Sequence, residues 1–404
     1  MKKLLYLFLL FPFSAGALQN DWEKKKSFVM ELERGVAFSI GNIGYVGTGQ
    51  DSADLMHNEF WQYDPATDLW TQVATLPAVG RRNAVAFVVN GKGYVGTGCD
   101  AAESFIGNNL KDIWEYNPVA NNWSQKTNYP GAFNMGVYFA TAFAADSKGY
   151  ICCGKIGPSS YTTDLWEYKP INDQWIQRAS FPAGSRYQLV SLVIDDIAYV
   201  GLGTDENAYT NDWWMYHPGT NMWTQKTDMP GPDRASASTF TIGPRGFVAF
   251  GSDGGFLEDL WEYNPWNDSW SIRAPFPGGD RRNAIAFSIG GKGYAGTGKG
   301  SSGIRRNFYE YTPLTPTGEN EIEPATSFSV FPNPASTNVL ITSNRLKEWG
   351  NFKITSLDGK MVQQGKTWLE SFRLDVSSLK PGIYIVEVST ANDEVYWKNK
   401  LMIE

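Results

Sequence analysis

The side chains able to do chemistry are mainly arginines, aspartates and tyrosines set at recurring positions. Arg81, Arg186, Arg234 and Arg281 each precede an apolar stretch, and nineteen residues further on stand Asp100, Asp205, Asp253 and Gly300. Arginine and aspartate at a fixed step suit charge-assisted, bidentate pairing. Arg81–Asp100, Arg186–Asp205 and Arg234–Asp253 are therefore expected to brace the fold. Arg281 has no such aspartate and Asp51 no such arginine, so these two are expected to pair with each other or to face a ligand. The next position reads Glu33, Arg82, Tyr138, Tyr187, Ala235 and Arg282 and does not repeat. Supports should repeat, whereas ligand contacts should vary. The expected ligand-binding set is Arg34, Arg82, Tyr138, Tyr187, Arg281 and Arg282, whose guanidinium and phenol groups suit an acidic peptide, a carboxylated sugar or another glycan.

Catalytic sets are harder to find. There are only 2 histidines. His57 falls in a loop and His217 in a turn of a different repeat. Cys99, Cys152 and Cys153 lack metal-site spacing and read as small buried hydrophobes on strands. No phosphate loop, zinc motif or nucleophile elbow is present. Glu33, beside Arg34 and Arg82, is the nearest candidate for a general acid or base. No catalytic residue, cofactor or metal is expected.

The elements that position these residues come from a repeat. Trp-x-Tyr-x-Pro followed by a second Trp appears as Trp61, Tyr63, Pro65, Trp70, and returns from Trp114, Trp166, Trp214 and Trp261. A sixth copy, Tyr309, Tyr311, Pro313, stops before its last Trp. Ahead of each copy lies an apolar stretch and a short block around an aromatic residue (Tyr45, Tyr94, Tyr150, Tyr199, Phe247 or Tyr294), clearest as Gly-Tyr-x-Gly in Arg81 to Gly96 and in Arg281 to Gly296. Each unit predicts four short strands, a to d. Asn90-Gly91 suits a two-residue hairpin between a and b, and alternating Trp and Tyr share one face of c.

A period of about fifty residues is that of kelch repeats, and residues from about 20 to 313 resemble that family. The resemblance implies a six-bladed β-propeller. The family's Gly pair is mostly Gly-x-Gly here, and Cys152-Cys153-Gly154 departs from it. The sixth unit lacks strand d, and Trp22 precedes Phe28 by the same six residues that separate Trp70 from Leu76. Residues 21–28 are expected to supply the missing outer strand, closing the ring and removing an exposed edge. A copper oxidase of the galactose-oxidase type would need two converging histidines and a Cys–Tyr pair, which this sequence does not supply. Some six-bladed kelch proteins are sialic-acid mutarotases, so a carbohydrate-active enzyme is the alternative to a binding protein.

The remaining segments concern location. Met1-Lys2-Lys3, an apolar run from Leu4 to Phe13 and Ala15-Gly16-Ala17 read as a signal peptide over 1–17. No Cys follows the run to carry a lipid anchor, and no other segment is long and apolar enough to span a bilayer. The 404 residues carry a net charge of −7, which disfavours a nucleic-acid partner. The propeller is assigned to 18–313 and a polar linker to 314–327. The stretch 328–404 carries Phe331-Pro332-Asn333-Pro334-Ala335, then Leu374 to Tyr384, then Lys400 to Glu404. These segments resemble the type A sorting domain of the bacterial type IX secretion system. The resemblance implies a small Ig-like β-sandwich, a partnership with the secretion machinery, and a secreted or surface-attached monomer that meets an extracellular protein or glycan.

Overall fold

The computed structural model describes residues 20–100, 109–205, 207–313, 328–331, 333, 335–343, 349–356, 359–368, 371–390 and 395–403. The signal segment 1–17, the linker 314–327, Pro332, Pro334, Asp358 and Glu404 lie outside them. The described chain forms two units, divided between Thr317 and Gly318.

The first unit is an all-β, six-bladed propeller of four-stranded antiparallel sheets. Blade 2 illustrates the plan, with strands a Val85–Val89, b Lys92–Gly96, c Ile113–Asn117 and d Asn122–Lys126. Asn90 and Gly91 both take positive φ, 51° and 71°, the type I′ geometry whose twist matches a hairpin. The innermost a strands touch in a closed circle around the axis. Between blades, aromatic side chains of strand a press on strand b of the next blade. The ring of Phe38 lies 2.5 Å from where a Cβ on Gly93 would be, so only the bare backbone admits that approach.

Tyr and the second Trp of the repeat act as blade-to-blade staples. Tyr116 Oη donates to Asn121 Oδ1, which also accepts from Ala74 N of the preceding blade, while Trp123 Nε1 donates to Ala74 O. Blade 6 makes the same staple with residues from the other end of the chain. Strand Asp21–Lys25 pairs antiparallel with Phe308–Thr312. Tyr311 Oη donates to Asn20 Oδ1 at 2.7 Å, and Trp22 Nε1 donates to Ala274 O at 3.1 Å. The hydrogen-bonded strand ends at Lys25. Phe28 leaves the sheet and is buried against Trp70 of blade 1, so the segment locks both neighbours of the seam.

The second unit is a β-sandwich. A three-stranded sheet, Phe328–Phe331, Asn338–Ser343 and Ser371–Asp375, accompanies a four-stranded sheet of Met361–Trp368, Trp349–Ser356, Gly382–Thr390 and Val395–Ile403. Val339, Ile341, Ile354, Val386, Val388 and Leu401 form its buried core. Period-two alternation sends these residues to one face.

Candidate functional site

Two circles of backbone hydrogen bonds fix the face on which strands a begin. Arg34, Asn83, Phe139, Gln188, Ser236 and Asn283 hold left-handed φ between 53° and 60°. The amide of each donates to the carbonyl of its counterpart in the preceding blade, at 2.9 to 3.2 Å, and Arg34 N to Asn283 O closes the circle. A second circle runs from the last glycine of each Gly-x-Gly block, as in Gly98 N to Val137 O and Gly298 N to Leu32 O. That glycine has φ of 88° at Gly98, and a Cβ there would lie 2.6 Å from Arg82 O. Blade 3 keeps it as Gly154, so Cys152-Cys153-Gly154 retains the one position the geometry demands.

Outside these circles lie the arginine braces, with partners other than those the sequence suggested. Arg81 bonds Asp112 through both terminal nitrogens at 2.7 Å, Arg186 bonds Asp212, and Arg234 bonds Asp259. Each arginine also donates to a carbonyl just past strand b, as Arg81 Nη1 does to Thr97 O. The aspartates belong to the lead-in of strand c, and each accepts from the first Trp of its repeat, as Asp112 does from Trp114 Nε1. Asp205 and Asp253 instead cap their own loops, accepting from Ala208 N and Gly255 N. Short aspartates accept backbone amides two or three residues on, which explains their recurrence without an arginine. Asp51 does the same with Ala53 N, accepts from Leu55 N as well, and meets His57 Nε2 at 3.3 Å.

Arg281 is corrected in the same way. It is 0% exposed and faces neither ligand nor Asp51. Its guanidinium donates to Thr297 O, Gly279 O, Gly278 O and Asn307 Oδ1, under the ring of Phe276. Asn307 occupies the brace-aspartate position, so this buried charge has no carboxylate there. Burial, and then Arg305, push Arg281 down to about 9.

Of the other five expected residues, Arg34 lines the axial cavity, and Arg82, Tyr138, Tyr187 and Arg282 each directly precede a residue that does. Arg82 Nη1 donates to Gln50 Oε1, Gln50 Nε2 donates to Glu33 Oε1 at 3.0 Å, and Asn283 Nδ2 donates to Glu33 Oε2 at 3.3 Å. Arg34 Nε stands 3.7 Å from Glu33 Oε2, and its guanidinium lies over Phe139. Tyr187 stacks on Tyr161 with centroids 5.1 Å apart, and Lys155 Nζ lies 4.5 Å from the Tyr187 ring centre. Arg282 lies over Phe256. Tyr138 is only 1% exposed and backs the wall with Cys99 and Phe139. Sequence reasoning missed Gln50, Lys155, Tyr161 and Phe256, which sit in b–c loops of irregular length. It also passed over the third position, where Asn83, Phe139, Gln188, Ser236 and Asn283 vary like Arg34 and line a cavity of roughly 150 Å³.

Repetition separates this cup from other charged clusters. Lys92 and Tyr94 both donate to Glu115, and Lys292 and Tyr294 repeat the arrangement on Glu310. Those groups tie strands b and c. Among the described residues, no three His, Cys, Asp or Glu side chains converge as a metal site. No helix among them is long and apolar enough to cross a membrane.

Comparison with known proteins bears on both units. Residues 329–404 match the family described as the secretion system C-terminal sorting domain. A solved structure entitled "Structure of YjhT" aligns with a TM-score of 0.61 at 16% identity, covering 73% of this chain and 98% of that one. At that identity the likeness is one of fold, and it agrees with the kelch-type propeller. No curated protein sequence matches the chain. The sorting domain makes this an exported protein, secreted or attached to the outer cell surface.

Proposed function

We propose that the propeller is a non-enzymatic binding module whose axial cup takes a carboxylate-bearing glycan or acidic peptide outside the cell. One observation carries this: Arg34 and Phe139 line the axial cavity with the polar side chains of Asn83, Gln188, Ser236 and Asn283, and Arg82 is tied through Gln50 to Glu33, which Arg34 and Asn283 also meet. Guanidinium groups match carboxylates bidentately, and aromatic rings held by stacking offer a flat wall to a sugar or side chain at low entropic cost. A glycan array including uronic-acid and sialic-acid oligomers, read beside Arg82→Ala, tests it. Binding to acidic members that the variant loses supports the proposal. An array with no acidic preference, together with no acidic peptide bound, would sink it.

The second reading is a sugar-converting enzyme such as a sialic-acid mutarotase. Its support is Glu33, a carboxyl 2% exposed at the mouth and beside Arg34. Mutarotation followed by NMR decides between the two. Acceleration abolished by Glu33→Gln would favour the enzyme.

A further inference from the structure

Cys152 ends strand b of blade 3, and Cys153 follows it. Their sulfurs are 3.5 Å apart and both residues are completely buried. The corner they occupy is common to all blades: Thr48, Thr97, Leu202, Phe250 and Thr297 share the left-handed φ of Cys153, which is 60°. The fold therefore imposes the conformation, and the conformation brings the two thiols together. Blades 1, 2 and 6 place Gly-Thr at this corner, so no packing rule of the repeat asks for sulfur.

We propose that Cys152 and Cys153 are a modification site, joined in the exported protein as a disulfide between adjacent residues. The protein leaves the reducing cytoplasm, and disulfides persist in the compartments beyond it. Closure breaks two S–H bonds and forms one S–S bond. Two protons are released, and two electrons pass to a disulfide-bearing thiol oxidase of the cell envelope, whose own disulfide becomes a dithiol. Contact between the sulfurs must shorten to about 2.05 Å. Burial, and then the neighbouring Cys153, push the Cys152 thiol well above its ordinary range. A folded blade 3 thus offers little thiolate, and the bond forms while the blade is still open. Once packed among Leu165, Phe181 and Leu189, it is shielded from reductant.

The bond encloses no intervening residues, so it adds little loop entropy. It stiffens a corner instead. Cys153 N donates to Asp164 O and Gly154 N to Arg186 O, and Lys155, two residues on, pairs by backbone with Tyr138 in the cup wall.

The test uses the full chain collected from outside the native cells. It is denatured, alkylated with or without prior reduction, and digested with trypsin. The peptide Gly149–Lys155 contains both residues and excludes Cys99. We expect it unalkylated before reduction and lighter by two hydrogens, and doubly alkylated after reduction, while Cys99 reacts in both cases. Two alkylated cysteines in that peptide before reduction would overturn the proposal, as would a cross-linked peptide joining either residue to Cys99. The double variant Cys152→Gly, Cys153→Thr restores the corner of blades 1, 2 and 6. Its melting temperature should ignore unfolding and refolding in reductant, whereas that of the wild type should fall. An equal response in both proteins counts against the bond.

Discussion

The amide of Arg34 donates to the carbonyl of Asn283 at 3.0 Å, joining the first blade to the last. This contact is the sixth in a circle whose other five link consecutive blades. It forms only when the two ends of the propeller sequence meet. The cup side chains Arg34 and Asn283 are placed by the same contact, so ring closure and site assembly are one event.

Closure depends on the N-terminal strand. Trp22 packs against Phe276 and Tyr311 with centroids 4.9 and 5.0 Å away. Trp22→Ala should cost about 3–5 kcal/mol, and deletion of residues 18–30 should lower the melting temperature sharply in a calorimetric scan. An unchanged melt after the deletion would show that the ring holds without the seam.

The braces of blades 2 and 6 can be exchanged. Asp112→Asn should destabilise by about 3 kcal/mol, because it removes a carboxylate from a buried guanidinium. Asn307→Asp should stabilise by about 1–2 kcal/mol, because Arg281 is already buried and lacks that charge. Denaturant titrations of the two variants read both effects. A loss from Asn307→Asp would mean that Arg281 needs the neutral amide, whose Nδ2 donates to Gly278 O.

Acid should weaken the blade 2 brace. Burial alone would raise the Asp112 carboxyl, but hydrogen bonds and charge from Arg81, with the Trp114 bond, hold it below its ordinary 3.8. The folded state then binds this proton less readily than the unfolded chain. The stabilisation is complete above the unfolded value and is lost as pH falls through the folded one. Melting temperature should drop below about pH 4, with a shallower acid slope in Asp112→Asn. Equal slopes would remove Asp112 from the account.

In the sorting domain, Asn333 Oδ1 accepts from Met402 N and Asn333 Nδ2 donates to Lys400 O, at 2.7 and 2.8 Å. The side-chain amide thus pairs with the final strand as a backbone would. Asn333→Ala should cost that domain about 1–3 kcal/mol and shift the protein from the culture medium or cell surface to the cell interior. Immunoblots of the fractions measure it, and normal export would separate this contact from sorting.

Much of this was legible because it repeats. Copies of one spacing expose the strands and the empty slot beside Tyr311 that Trp22 fills, whereas the staples by which Tyr116 and Trp123 reach the preceding blade emerge only in the fold. The brace partners were not legible. Asp100 and Asp112 follow Arg81 in the same loop, and only the path of that loop decides which carboxylate reaches the guanidinium. For want of its own aspartate, Arg281 reads from the sequence as a partner for Asp51 or for a ligand, whereas the fold buries it on Asn307, an amide that comparison between blades passes over.

By itself, then, the sequence determined the repeat, its missing outer strand and the sorting motifs, since each rests on local spacing; the six propeller blades and the exported sandwich followed from the family resemblances those motifs carry. Tertiary structure alone decided which arginines brace and which face the cup. Arg281 bridges Leu257 and Arg282 bridges Lys299 in extended backbone, where neighbouring side chains point to opposite sides. Which side is the blade interior depends on how the ring closes around that segment, and it leaves Arg281 buried on Asn307 and Arg282 over Phe256.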